Sequence, residues 1–179
     1  FLIPTIITPF MRYLVQPQKE FVERLNWNLS RFNGFIGINN HMGSSLTEHH
    51  KEMGWVMAEL KDRGLVFLDS VTTSDSVAGD EARLAGVPTL SRNVFLDNDR
   101  DPKAILAQFK LAMDMSKRRG LAIAIGHPYP ETLAVLKEWL PQLDREAIIL
   151  TPLSAALSEK YFAKPLLAAK EVTTLVSAK

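Results

Sequence analysis

The string "GLAIAIGH" (residues 120–127) stays apolar almost to its end, and "GLVFLDS" (64–70) does the same earlier in the chain. A strand with one wet face alternates polar and apolar residues, whereas a strand covered on both faces can be apolar throughout. Such runs point to a parallel sheet enclosed by helices, and each β-type run here is followed by a stretch of helical period. After "GFIGI" (34–38), the segment 48–64 carries Met53, Val56, Met57 and Leu60 at helical spacing. After 64–70 comes "SVAGDEARLAG" (76–86). "VPTLSRNVF" (87–95) leads to "DPKAILAQFKLAMDMSKRRG" (101–120), with Asp101 placed to cap the helix and Pro102 at its first position. "PETLAVLKEWLPQL" (130–143) follows residues 120–127, and "AIILTP" (147–152) precedes a last helical stretch over 154–170. One more amphipathic helix is expected over 18–34, with Phe21, Leu25 and Leu29 facing inward and a glycine-type end.

Five strands follow from these runs, with a sixth expected in the opening segment. A complete (β/α) barrel commonly takes about eight. The chain therefore reads either as an open α/β sheet or as the later part of a barrel whose opening strands lie outside it. At 179 residues it is expected to form one domain over 1–179. It begins with Phe1, and we expect that domain to be incomplete at its N-terminal end.

Several function classes drop out. With no cysteine there are no disulfides, thiolate ligands or thiol nucleophile. The formal charge is +1, and basic residues come in short groups among acids, so nucleic acid is not an expected partner. No apolar run approaches the ~20 residues of a bilayer crossing, since "FLIPTIITPF" is short and broken by Pro4 and Pro9. Neither phosphate-binding glycine motif occurs, nor the G-x-S-x-G elbow of serine hydrolases.

Ligands of parallel sheets sit at the carboxyl ends of the strands, where loops vary on a fixed frame. Polar groups stand at each such end here. Asn39, Asn40, His41 and Ser44 follow the first well-defined run, and Asp69 and Ser70 the second. Arg92, Asp97 and Asp99 come after the third, and His127 and Tyr129 after the fourth. His127 reads as a general acid/base or metal ligand, or as a loop histidine bonded to a carbonyl. Asp69 could orient a histidine, bind a metal or act as a base; it could equally close an Asx turn. His41 reads as a metal ligand or polar loop residue, and Asn39 and Asn40 as sugar-binding groups or as satisfying their own backbone. Arg92 beside acids reads first as an ion pair fixing loop shape, although a strand-end aspartate can also tune a neighbouring imidazole. His49 and His50 read as the solvated start of a helix capped by Thr47, and Trp27, Trp55 and Trp139 as packing residues.

The strings "NNHMGS" (39–44), "FLDS" (67–70), "RNVFLDN" (92–98) and "AIAIGHPYPET" (122–132), in this order, resemble the divergent polysaccharide deacetylase family, relatives of NodB-like carbohydrate esterases. The resemblance covers roughly residues 20–157. It implies a distorted (β/α) barrel of about seven strands that removes N- or O-acetyl groups with a divalent metal of zinc type. It also implies an acetylated glycan or peptidoglycan-type substrate and a periplasmic or membrane-anchored extracytoplasmic place. On that basis His41 would be a metal ligand or a donor to the oxyanion, and His127 would protonate the leaving group. Asp69 would orient or charge-balance His127, and Asn39, Asn40, Ser44, Arg92 and Tyr129 would meet the substrate. The chain departs from the pattern in its opening: the family's first strand ends in an Asp-Asp pair and a later one in a histidine, and "FLIPTIITPF" carries no acid and no histidine. The competing expectation is a non-catalytic envelope protein that uses the same polar rim to hold glycan or a protein partner without a metal.

Overall fold

The computed structural model describes residues 5–7, 16–41 and 44–162, and of residues 5–7 and Phe162 the backbone only. β1 (Thr5–Ile7) is followed by α1 (Gln18–Leu29), whose Phe21, Leu25 and Leu29 recur about one turn apart and are all buried. β2 (Gly37–His41) leads through the single turn α2 (Ser44–Thr47) into α3 (His50–Asp62). The expected stripe Met53, Val56, Met57 and Leu60 is the buried face of α3. β3 (Val66–Asp69) precedes α4 (Ala78–Ala85), which stops at Gly86 in the left-handed region, φ 76°, a conformation glycine adopts without strain.

β4 (Thr89–Ser91) and β5 (Val94–Phe95) come next, separated only by Arg92 and Asn93. α5 (Pro102–Arg119) starts as its sequence predicts: the Asp101 carboxylate accepts the N–H groups of Lys103 and Ala104, with proline at the first position. β6 (Ala124–Ile125), α6 (Pro130–Trp139), a 3-10 turn (Leu140–Glu146) and α7 (Leu153–Phe162) complete the described chain.

All pairings are parallel. β1, β2, β3 and β4 are neighbours in that order, and β5 pairs with β6. Because β4 and β5 are two residues apart, one line of chain leaves the first ladder and enters the second. The edge that β4 thereby leaves open is closed by a side chain: the Tyr161 hydroxyl of α7 accepts the Thr89 N–H at 2.9 Å and donates to the Thr89 carbonyl at 2.8 Å.

Strand side chains alternate between two faces. Ile38 and Phe67 pack against α1, α3 and α4, while Val94 and Leu96 pack against α5 and the 3-10 turn. On the opposite face Leu68 and Leu90 meet Ala156 and Leu157 of α7, with Ile123 and Ile125 alongside. Each large side chain so buried contributes about 1.5–3 kcal/mol, which is what fixes the strand register.

The structure corrects several expectations. "AIILTP" forms no strand: its backbone is irregular, and Ile149 and Leu150 are 69% and 72% exposed. Among the described residues no strand neighbours 148–150 to take up their hydrogen bonds, and an apolar run without a ladder is not a strand. Among the described residues β6 pairs with β5 alone, and Ala124 is exposed, so it is not a strand covered on both faces. Among the described residues nothing pairs β6 with β1; the strands form two parallel ladders, one of four strands and one of two, packed against helices, and a seven-strand barrel is not shown. α1 ends at Leu29 with Ser30 as its cap, short of Gly34. Thr47 does not cap α3; it is fully buried and donates to the Ser44 carbonyl, and His49 takes the cap position without a side-chain bond. Trp27 is 59% exposed beneath the Arg31 guanidinium instead of packed in the core.

Candidate functional site

Because the strands are parallel, their carboxyl ends share one rim. His41 is the last residue of β2 and Asp69 the last of β3. Arg92 follows β4 directly, Asp97 stands two residues beyond β5, and His127 two beyond β6. Phe95 and Ile125 are register partners, so equal steps past them bring Asp97 and His127 side by side.

That pair is the best-defined feature of the rim. Asp97 Oδ1 lies 3.0 Å from His127 Nδ1, and Asp97 Oδ2 accepts the His127 backbone N–H at 2.5 Å and the Thr132 hydroxyl at 2.8 Å. The carboxylate is fully buried while the imidazole is one-third exposed. Burial is the largest influence on Asp97 and opposes its charge. The backbone N–H of His127, the Thr132 hydroxyl and the His127 imidazole together outweigh it and hold the carboxyl below the usual carboxylate range. An ionised carboxylate only accepts hydrogen bonds, so neutral His127 carries its proton on Nδ1 and leaves Nε2 with a free lone pair. Gly126 makes the approach feasible, since a Cβ there would stand 3.3 Å from both Asp97 Oδ2 and the Leu96 side chain.

His41 joins this pair. Its ring meets the His127 ring edge to face, with centroids 6.0 Å apart. Tyr129, at the N-cap position of α6, has its ring 5.0 Å from that of His127, and Phe95 lies 5.5 Å away on another side. The Arg100 guanidinium sits 4.4 Å from the Tyr129 ring centre and is bonded to both oxygens of Glu131. Four residues from three strand ends thus surround one partly exposed imidazole.

Alternation sends the other expected residues elsewhere. Asn40 shares its face with Ile38, and Asp69 shares its face with Phe67, so both point toward the helix layer. Asn40 Oδ1 accepts the Ser70 N–H at 2.8 Å, and its buried Nδ2 has no partner among the described residues. Asn39, on the His41 side, donates to the Ser70 hydroxyl. Asp69 spends both oxygens on its own loop, Oδ1 accepting the Val71 N–H at 2.8 Å and Oδ2 the Ser76 hydroxyl at 2.9 Å. The carboxylate that orients His127 is therefore Asp97, not Asp69 as the sequence reading had it.

Among the described residues Arg92 makes no ion pair. Its guanidinium donates to the carbonyls of Ser70 and Val71, gripping a turn in which Val71 has a φ of 47°. Burial pulls the Arg92 guanidinium below its usual value, and the negative charge of Asp69 acts against that pull. Ser44 opens α2, three residues past His41. A small, mainly apolar cavity lies along β2 among Leu25, Ile38, Leu46, Met53 and Phe67; Asn39, Asn40 and His41 of the rim also line it, whereas Asp97 and His127 do not.

A catalytic zinc-type centre takes about three protein ligands of imidazole or carboxylate type. His41 offers an imidazole of the right chemistry beside a histidine with a carboxylate behind it. Among the described residues no three His, Asp or Glu side chains are placed so that they could hold a metal ion together, so the fit is partial.

The family described as divergent polysaccharide deacetylase has a sequence profile that matches residues 9–157. A protein of Haemophilus influenzae named "Uncharacterized protein" is 41% identical over 124 residues, 69% of this chain and 44% of its own length. "Uncharacterized protein YibQ" of Escherichia coli is 42% identical over 124 residues, covering 69% of this chain and 39% of its own. The match thus spans less than half the length of these curated relatives. The crystal structure of uncharacterized protein ATU2773 from Agrobacterium tumefaciens C58 superposes with a TM-score of 0.77 at 22% identity, over 86% of this chain and 66% of that one. At that identity the likeness shows the fold alone.

Proposed function

The chain belongs to the divergent polysaccharide deacetylase family, and from that premise we propose that its rim hydrolyses acetyl groups on a cell-envelope glycan, with His127 as proton carrier. The observation that carries the reading is the buried Asp97 carboxylate bonded to the Nδ1 side of a half-buried imidazole at a strand end.

In the proposed reaction Nε2 of His127 takes a proton from the attacking water as its oxygen bonds to the acetyl carbon. The C–N or C–O bond then breaks, and the same proton passes to the leaving amine or alcohol, giving acetate and the free glycan group. Asp97 stabilises the imidazolium that forms between the two transfers, the part a carboxylate plays behind a catalytic imidazole. Asn39, Ser44, Arg92 and Tyr129 border the space where the sugar would lie, with Asn40 behind them, and Asp69 keeps the loop after β3 in shape. A divalent cation, zinc being the expected one, would take His41 as one ligand and, when bound, supply an acidified water and a polarised acetyl carbonyl. The barrel of about seven strands, with β1 and β6 as its present edges, and an extracytoplasmic working place are parts of the same proposal.

The test is acetate release from N-acetylated chito-oligosaccharides and peptidoglycan fragments, with zinc added and with a chelator. We expect release that the chelator abolishes and that His127→Ala lowers by roughly a hundredfold or more. Unchanged release by His127→Ala removes His127 from the chemistry. The second reading is a rim that only binds glycan or a protein partner, supported by the Tyr129 ring standing beside His127 at the strand ends. Tight glycan binding with no acetate release at any metal concentration would establish it.

A further inference from the structure

Thr132 stands in the first turn of α6 and is 1% exposed. A buried hydroxyl needs a partner, and inside a helix its ready choice is a carbonyl one turn back. The Thr132 Oγ1 does not take such a carbonyl; it donates to Asp97 Oδ2, in the loop after β5. Oδ2 therefore receives two donors from two directions, the His127 backbone N–H from the turn and Thr132 from the helix. One donor leaves a carboxylate free to swing about its Cβ–Cγ bond; two on the same oxygen fix its plane and so fix where Oδ1 points. The start of α6 also lacks a side-chain cap of its own, and a carboxylate held there is favoured by the helix dipole.

We propose that Thr132 is a positioning residue: through Asp97 Oδ2 it sets the carboxylate so that Oδ1 meets His127 Nδ1 and Nε2 is presented to the rim. The catalytic meaning of this arrangement rests on the reading of His127 as proton carrier. The arrangement itself requires no turnover and is measured without it. A merely structural Thr132, filling a buried polar spot, would leave the imidazole unaffected when the hydroxyl is lost.

The decisive experiment records the side-chain nitrogen resonances of His127 at one fixed pH at which the ring is neutral, in the full chain without added metal. In the wild type and in Thr132→Ser we expect Nδ1 to be the protonated nitrogen and Nε2 the bare one. Thr132→Val keeps the volume but removes the donor, and should lose at least half of the Nδ1-protonated population. Thr132→Ala gives the same reading if the valine variant does not fold. Where acetate release is measurable, Thr132→Val should lose roughly tenfold in kcat, the worth of one charge-assisted hydrogen bond, with KM changed by less than about twofold and serine restoring most of the loss. A wild-type His127 protonated on Nε2, or variants lacking the hydroxyl with the wild-type spectrum, would overturn the proposal. Absence of acetate release from every form, with the nitrogen spectra as expected, would count against the hydrolase reading and leave the positioning role standing.

Discussion

Asp97 Oδ1 and His127 Nδ1 lie 3.0 Å apart at adjacent strand ends, one side chain wholly buried and the other open to the rim on its far side. The contact crosses between β5 and β6, and it is set by their pairing rather than by any local motif. The following outcomes test whether this pair and its surroundings have the parts assigned to them.

Asp97→Asn keeps the shape but sets an amide nitrogen or a neutral oxygen against donors that now meet a charge. A loss of about 1–3 kcal/mol in stability is expected. The pH dependence has a definite sign. The folded-state pKa of Asp97 is depressed, so its contribution is fully present above the ordinary carboxylate value of about 4 and is lost as pH falls through the depressed one. Urea midpoints recorded from pH 7 down to pH 3 should fall more steeply for the wild type than for Asp97→Asn below about pH 5; parallel curves would contradict the assignment.

Asp69→Asn separates the two buried aspartates. Asn can still accept from Val71 but offers Ser76 a donor in place of an acceptor, so the loop after β3 should loosen. Because the imidazole is not touched, acetate release should fall by about tenfold or less, against about a hundredfold or more for Asp97→Asn. The reverse order would return the orienting role to Asp69.

Gly37→Ala places a Cβ against the Val66 carbonyl and side chain, where β2 and β3 approach too closely for any side chain. The ladder must part, at about 1–3 kcal/mol. Chemical denaturation midpoints measure it, and a midpoint equal to the wild type would show that the strands adjust freely.

Tyr161→Phe removes the hydroxyl that serves both the N–H and the carbonyl of Thr89, which is 2% exposed. The carbonyl keeps the Lys160 ammonium at 3.0 Å, whereas the N–H is left without a partner. About 1–3 kcal/mol should be lost, and amide exchange across α7 should quicken before that of α3. Uniform exchange throughout would mean that α7 is held by its apolar contacts alone.

Residue order alone determined the helices and their inward faces: Phe21, Leu25 and Leu29 in α1, the Met53 to Leu60 stripe in α3, and Asp101 with Pro102 at the head of α5. These depend on contacts within a few turns of one segment, and so does the placing of His41, Asp69 and His127 at strand ends. Direction was not legible there. Whether a side chain at a strand end enters the rim or turns to the helices depends on register, and one step in register exchanges the faces. That is why Asn40 and Asp69 went to the helix layer while His41 met His127. It is also why Asp97, set among the loop acids in the sequence, proved to be the carboxylate that holds the imidazole. The "AIILTP" run failed as a strand for a related reason: an apolar stretch becomes β structure only where a neighbour receives its hydrogen bonds, and that neighbour is a property of the assembled fold.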